Sequence, residues 1–157
     1  MNNKIPIFTE IFYEMTSNYS LDIFRQSVDV QVRYSDFDLQ GHVSNTVYQC
    51  YYDRGKQSYL DLVIIDWNIK SLVGASVKID YLKPILYHTP ISVKTRVAHI
   101  GNKSITFEHC IVNRNNNEVL STSTAVMVYS DFQNKQSMPV PEDWRMKITA
   151  FEDIVEC

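Results

Sequence analysis

The chain has 157 residues, a formal net charge of −3 and a hydrophobic content of 45%. This is the size of one ordinary domain with enough apolar residues for a core, and the small net charge without a long basic run excludes nucleic acid as an expected partner. No apolar run approaches the roughly 18 residues of a membrane span, so we predict a cytoplasmic protein without a membrane partner. No linker or repeat divides the sequence, which predicts a single domain over residues 1–157.

The first clear elements are a strand and a long helix. Apolar and polar residues alternate from Val28 to Ser35, which is typical of a half-buried strand. The period becomes helical from Thr46 to about Val63. Gly55 lies in the middle of this helix, where it costs about 1 kcal/mol relative to Ala, and close approach to a sheet would explain it. The predicted buried face comprises Tyr48, Tyr51, Tyr52, Gly55, Tyr59, Leu62 and Val63.

Four further strand-like segments follow the helix. Alternating runs cover residues 74–82, 91–100, 104–113 and 118–129, with turn signals at 101–103 and 115–117, and a short helix is predicted from Pro141. The spacing predicts consecutive antiparallel hairpins. One long helix against an antiparallel sheet of about five strands is an α+β arrangement. The open edges of such a sheet predict pairing with a second copy.

The segment SDFDLQGHVSNTVY, residues 35–48, holds more than a turn requires. Two carboxylates, Asp36 and Asp38, stand two residues apart before a glycine, and Ser44 or Asn45 is placed to cap the helix that follows. From these residue types alone, the favoured interpretation of Asp38 is a turn residue whose side chain bonds the backbone. The choice between a turn and a reactive acid depends on the surrounding pattern.

The segment from Val32 to Tyr48 resembles the signature of the hotdog-fold thioesterases, and most closely the 4-hydroxybenzoyl-CoA thioesterase-like acyl-CoA thioesterases. That pattern has an aromatic residue, Asp-x-Asp, two residues and a glycine, followed by a short turn into the central helix. Residues 77–84, 100–104 and 139–144 also resemble this family. The resemblance covers residues 28 to about 145 and implies a hotdog fold, in which an antiparallel sheet wraps around one long helix.

The resemblance assigns the catalytic carboxylate to the second acid, Asp38. A carboxylate either attacks a thioester carbonyl directly or takes a proton from water. Backbone N–H groups at a helix N-terminus stabilise the oxyanion, and we expect Gly41, His42 and Val43 to supply them from the turn. Asn45 is predicted to orient the water or the carbonyl, to cap the helix, or to do both.

Several polar residues outside the proposed catalytic group also have predicted roles. Asp36 is predicted to be structural, bonding turn amides or pairing with Arg33. Lys103 and Ser104 lie in a turn that the family uses near the nucleotide, so they are the candidates for coenzyme A binding, with Lys83 and Arg96 as further candidates. The resemblance implies no cofactor, because coenzyme A is part of the substrate. No metal site is predicted, because the three cysteines are far apart. These are Cys50, Cys110 and Cys157.

The resemblance implies an acyl-CoA thioesterase that releases a free acid and coenzyme A, assembled as a homodimer or homotetramer with sites at subunit interfaces. One alternative is a thioesterase for acyl carrier protein, or a dehydratase, of the same fold. A dehydratase of this fold usually pairs a histidine with an acid, and the presence of Asp38 disfavours it. Another alternative is a non-catalytic acyl-CoA-binding module. The sequence leaves open the acyl chain length, the carrier, the oligomer, and direct attack against water activation.

Overall fold

The computed structural model describes residues 20–64 and 72–152. Residues outside these ranges, among them Cys157, are not described further. Short 3-10 turns cover Leu21–Ile23 and Tyr34–Asp36. The strands are β1 (Gln26–Val30), β2 (Leu72–Tyr81), β3 (Ile91–Ile100), β4 (Ser104–Asn113), β5 (Glu118–Asp131) and β6 (Gln136–Ser137), and the helices are α1 (Asn45–Val63) and α2 (Glu142–Phe151).

Most elements lie where the periodicity predicted them. Strands β3 and β4 and the long helix α1 agree with the predicted ranges to within a residue, and α2 follows Pro141. Strand β1 is displaced, since it begins at Gln26 and ends at Val30. Val30 pairs with Ile91, the first residue of β3, so the chain beyond Val30 has no further strand residue to pair with.

The sheet is antiparallel with the strand order β1-β3-β4-β5-β2, and β6 pairs with β5. The predicted hairpins are confirmed for β3, β4 and β5, but the prediction was wrong for β2, which pairs with β5 instead of β3. The long connection after β2 explains the difference, because the N–H groups of Leu82 and Lys83 both donate to Leu120 O and direct the chain across the end of the sheet. Strand β2 is therefore an edge strand, with Val73 and Val77 40% and 45% exposed.

Helix α1 packs against the sheet over β1, β3 and β4. A Cβ atom added to Gly55 would lie 2.5 Å from Val93 Cγ1 and 2.7 Å from Thr95 Oγ1, so the close approach predicted from this glycine is confirmed. Leu62 was predicted on the buried face but is 55% exposed. Leu60 is buried instead, and two residues of helix turn the side chain by about 200°. The arrangement of one long helix on a curled antiparallel sheet matches the predicted hotdog fold.

A row of buried polar residues crosses the middle of the sheet under the helix. Gln26, Thr95, His109 and Ser123 are direct partners on β1, β3, β4 and β5, and none is more than 3% exposed. Thr95 Oγ1 lies 3.0 Å from His109 Nδ1, whereas the side-chain amide of Gln26 and the Ser123 hydroxyl have no hydrogen-bond partner in the described structure. Burial, with a smaller effect of the Lys56 charge, lowers the pKa of His109 to about 3, so this imidazole is neutral.

The polar row separates two apolar clusters. One surrounds the N-terminal half of α1 and contains Tyr48, Tyr52, Ile91 and Ile111, and the other surrounds its C-terminal half with Tyr59 and its neighbours. The first cluster also includes Val43 and Ile85, from the loops that precede α1 and follow β2. The loop bearing the two acids is thus anchored in the core at the start of the helix.

Candidate active site

The loop bearing Asp38 is a tight reversal between residues 37 and 43, which form an isolated antiparallel bridge. The Asp38 N–H donates to His42 O at 2.9 Å. Asp38 Oδ1 accepts the N–H groups of Gln40 at 2.8 Å and His42 at 3.3 Å. Gly41 has φ +77°, a left-handed conformation that side chains other than glycine rarely adopt. Asp38 is therefore a turn residue by geometry, but only one of its two carboxylate oxygens is used in the turn.

Asp36 connects this loop to helix α1. Its carboxylate accepts the Arg33 N–H at 2.8 Å and the Tyr51 hydroxyl at 2.7 Å, both at Oδ2. Its carbonyl oxygen accepts the Ser44 N–H at 2.8 Å. Burial, reinforced by Asp36, raises the pKa of Tyr51, so the phenol stays protonated and donates. Asp36 has the predicted structural role, through the backbone of Arg33 and not through its guanidinium.

A cavity of about 510 Å³ opens between this loop, the start of α1 and the end of β2. It brings together Asp38, His42, Val43 and Asn45, four of the residues predicted from the sequence to form the site. Lys83, a further candidate, also lines it and pairs with Glu118. The complete lining is Asp38, Gln40, His42, Val43, Ser44, Asn45, Tyr48, Tyr81, Leu82, Lys83 and Pro84.

The three turn amides that the sequence suggested as oxyanion donors are already engaged within the chain. The Gly41 N–H donates to Asp38 O at 3.1 Å and the His42 N–H donates to the Asp38 carboxylate at 3.3 Å. The Val43 N–H donates to Ile85 O at 3.0 Å. These bonds hold the loop closed, so in this arrangement none of the three amides is available to a ligand.

The first turn of α1 offers two other amides. Within the described ranges, the N–H groups of Asn45 and Thr46 have no acceptor, and the Ser44 side chain does not cap them. Such orphan donors at the positive end of a helix bind developing negative charge well. The sequence did not single out these two amides, because the bond from the Val43 N–H to Ile85 O depends on a loop that lies far away in the chain.

Two tyrosines complete the wall of the cavity and were not predicted as site residues. The Tyr81 hydroxyl lies 3.3 Å from the Asn45 carbonyl oxygen, and its ring meets that of Tyr48 edge to face with centroids 4.9 Å apart. Burial raises the pKa of Tyr48, so the Tyr48 hydroxyl is neutral. The available signal for Tyr81 was its place at the end of an alternating run, directly before Leu-Lys-Pro.

Lys103 and Ser104, the candidates for coenzyme A binding, lie elsewhere. Lys103 lies in the turn between β3 and β4, and Ser104 is the first residue of β4, at the end of the sheet where the C-terminal half of α1 packs. Lys103 Nζ donates to the carbonyl oxygen of Ser137 at 3.1 Å and lies 3.2 Å from its hydroxyl. Within one chain the structure does not bring these residues to the Asp38 cavity, and their predicted role stays a prediction.

Residues 20–64 and 72–152 contain neither a clustered metal site nor a membrane-spanning helix. No group of three or more histidine, cysteine, aspartate or glutamate side chains is arranged to hold a metal ion in that part of the chain. No helix within it is long and apolar enough to cross a membrane.

Residues 32–148 match the family model of the thioesterase-like superfamily. The chain belongs to this superfamily. A thioesterase from Thermus thermophilus, whose structure was solved with coenzyme A and Zn, is 30% identical, with a TM-score of 0.77 over 85% of this chain and 98% of that chain. The chloroplastic acyl-acyl carrier protein thioesterase ATL3 of Arabidopsis thaliana is 25% identical over 146 residues, covering 89% of this chain and 75% of that protein.

A thioesterase superfamily structure from a Jannaschia species gives a TM-score of 0.78 over 92% of both chains at 22% identity, which supports the fold alone. The predicted family and hotdog fold are thereby confirmed. The chain is a thioester hydrolase, and the alternative of a non-catalytic binding module is disfavoured.

Proposed function

We propose that this hydrolase acts on an acyl-CoA thioester at the cavity that holds Asp38, releasing a free acid and coenzyme A. The observation that carries the proposal is the placement of Asp38 and the start of α1 in one cavity. A carboxylate and two unengaged amides are the groups that thioester hydrolysis requires. The Thermus relative solved with coenzyme A supports the choice of carrier.

In the proposed mechanism, the two oxygens of Asp38 have different functions. Oδ1 is held by the amides of Gln40 and His42, whereas Oδ2 has no hydrogen-bond partner in the part of the chain described. Oδ2 takes a proton from a water molecule as the water oxygen bonds to the thioester carbon. The amides of Asn45 and Thr46 stabilise the oxyanion, and the Asn45 side chain orients the water or the carbonyl.

Collapse of the intermediate breaks the carbon–sulfur bond, and Asp38 returns its proton to the departing sulfur. The products are the carboxylic acid and the coenzyme A thiol. Direct attack by Oδ2 on the thioester carbon, followed by hydrolysis of an anhydride, is the other route. Label in Asp38 after a single turnover in water labelled with heavy oxygen would identify the anhydride route, because only attack of water on the Asp38 carboxyl carbon of the anhydride places a solvent oxygen in that side chain.

The proposed assembly is at least a homodimer formed along the exposed edge of β2. An antiparallel pairing of β2 with its copy places the start of one β2 beside the end of the other. The start of β2 pairs with Tyr129, whose N–H donates to Lys103 O, and its end carries Tyr81 at the cavity. This pairing brings the Lys103–Ser104 turn of one copy towards the Asp38 cavity of the other, where it is proposed to bind the nucleotide of coenzyme A.

The test is release of free thiol from a panel of acyl-CoAs by the wild type, Asp38→Asn and, as a matched control, Asp22→Asn at an exposed position. We expect turnover by the wild type and control and a loss of several orders of magnitude in Asp38→Asn, with all three proteins folded by circular dichroism. Equal activity in Asp38→Asn would place the reaction elsewhere.

Hydrolysis of acyl-acyl carrier protein is the second candidate, favoured by the name of the Arabidopsis relative. The same acyl groups on carrier protein are therefore assayed in parallel. If only the carrier-protein thioesters are hydrolysed, the substrate carries its acyl group on acyl carrier protein and not on coenzyme A. The proposed role of Asp38 would be unaffected by that result.

A further inference from the structure

A second cavity, of about 350 Å³, lies on the opposite side of the acid-bearing loop, between β1 and α1. Its helical wall is formed by Val47, Cys50, Tyr51 and Arg54, which follow one another at the spacing of a single helix stripe. Asp36 lines this cavity and Asp38 lines the first, so the loop separates the two. The complete lining is Asp29, Val30, Gln31, Arg33, Asp36, Val47, Cys50, Tyr51 and Arg54.

The lining of this cavity carries two carboxylates and two guanidinium groups. Asp29 forms an ion pair with Arg114 at 3.0 Å, and the carboxylate of Asp36 accepts the two hydrogen bonds described above. The guanidinium groups of Arg33 and Arg54 have no carboxylate partner among residues 20–64 and 72–152. Within those ranges, each carboxylate of the wall has a hydrogen-bond or ion-pair partner, whereas neither guanidinium group is paired with a carboxylate.

An arginine side chain is suited to binding an oxyanion, because its planar fork of N–H groups matches the oxygens of a carboxylate or phosphate. Val30 and Val47 add a half-buried apolar surface to the same cavity. We propose that this cavity binds a small organic anion, with its carboxylate or phosphate on Arg33 and Arg54 and its carbon part against the two valines. Such a ligand contacts the Asp36 side of the loop without entering the Asp38 cavity.

Cys50 supplies a readout that is independent of thioester hydrolysis. Its thiol is exposed and lines the cavity, whereas Cys110 is fully buried. In a Cys157→Ser background, the rate of Cys50 alkylation by neutral iodoacetamide, followed by intact mass, reports occupation of the cavity. The probes are inorganic phosphate, hexanoate and the neutral analogue hexanol, each compared with sodium chloride at the same ionic strength.

We expect phosphate and hexanoate to slow alkylation several-fold in a saturable manner, and hexanol to have no effect. Protection, taken as the ratio of rates with and without probe, is lost in Arg33→Gln and Arg54→Gln and retained in Lys78→Gln, which removes the same charge from strand β2. Stronger protection by hexanoate would identify the ligand as a carboxylate with an apolar tail. Stronger protection by phosphate would identify it as a phosphorylated compound.

Three results would overturn the proposal: no protection by either anion, equal protection by hexanol, or full protection in both arginine variants. Thermal melting of each variant establishes that it is folded before its alkylation rate is interpreted. The alkylation test remains valid even if the protein hydrolyses no acyl-CoA, because no step of the test depends on turnover.

Discussion

The Tyr51 hydroxyl donates a 2.7 Å hydrogen bond to Asp36 Oδ2 and so joins the second turn of helix α1 to the loop that carries Asp38. Tyr51→Phe keeps the ring in the core and removes this donor from a charged acceptor. We expect a loss of about 1 to 3 kcal/mol in the free energy of unfolding. The turnover number should fall more than KM rises, because the loop that positions Asp38 loosens while the cavity remains.

Urea denaturation and steady-state kinetics of Tyr51→Phe measure both effects. Tyr34→Phe is the matched control, since Tyr34 lies in the same loop but is 86% exposed. Unchanged kinetics in Tyr51→Phe would show that the loop holds its geometry without the helix.

Gly55→Ala is expected to destabilise the fold although alanine favours helices. The propensity gain is about 1 kcal/mol, but the new Cβ would lie 2.5 Å from Val93 Cγ1, and overpacking of this kind costs about 1 to 3 kcal/mol. Because the atoms in conflict belong to the short, β-branched side chains of Val93 and Thr95, which have few alternative rotamers, we expect the steric cost to prevail. The measurement is the midpoint of urea unfolding, with Gly74→Ala as the control, where the nearest atom is Met127 Sδ at 4.0 Å. A Gly55→Ala protein more stable than wild type would contradict the tight contact.

His109 is expected to weaken the protein in acid. Its pKa is near 6.5 in the unfolded chain and about 3 in the fold, mainly because of burial. Between these pH values the unfolded chain binds the additional proton, so the free energy of unfolding decreases as pH falls, by up to about 1.4 kcal/mol per pH unit. The raised pKa of Glu152, again mainly from burial, acts oppositely, since the stability it contributes is present at low pH and is lost as pH rises.

Comparison of wild type with His109→Gln isolates the histidine, because Glu152 is common to both. We expect a flatter dependence of unfolding free energy on pH in the variant between about pH 3 and 6. NMR titration of the His109 ring gives a second measurement on the wild type, and an imidazole that becomes charged near pH 6 would refute the prediction.

The edge of β2 is the predicted subunit contact. Val77→Lys places a charge on this exposed strand, and we expect it to convert the assembly to monomers and to lower thioesterase activity if the Lys103 turn of the second copy completes the site. Light scattering after size exclusion measures the mass. Ser27→Lys, at an exposed position of the other edge strand, should leave the mass unchanged. A wild type that is monomeric at assay concentration would exclude this assembly.

Local pattern was sufficient for much of this fold. The ranges of β3, β4 and α1 follow from alternation and helical period, and Gly55 correctly indicated close contact with the sheet. The pairing of β2 with β5 could not be read in this way, because it depends on backbone bonds to Leu120 made by a connection that has no repeating pattern.

The position of the candidate site in the chain could be predicted from the sequence, whereas the bonding of its individual amides could not. The acid-bearing loop and the cavity that joins Asp38 to Asn45 correspond to the motif in residues 35–48. The assignment of oxyanion donors required knowledge of which amides are already bonded, and the partner of Val43 is Ile85, more than forty residues away. The burial of Leu60 in place of Leu62 is a smaller case, in which the broad predicted helix face included the wrong one of two leucines.

The polar row of Gln26, Thr95, His109 and Ser123 has a consequence for how the strands find their alignment. In an antiparallel sheet with an apolar inner face, sliding one strand by two residues keeps every side chain on its original face and is penalised little. Here the same slide between β3 and β4 would set His109 against a valine and Thr95 against an isoleucine or a phenylalanine, and would break the bond between them. The row therefore favours a single register of the four strands, although its buried polar groups make the centre of the sheet less stable.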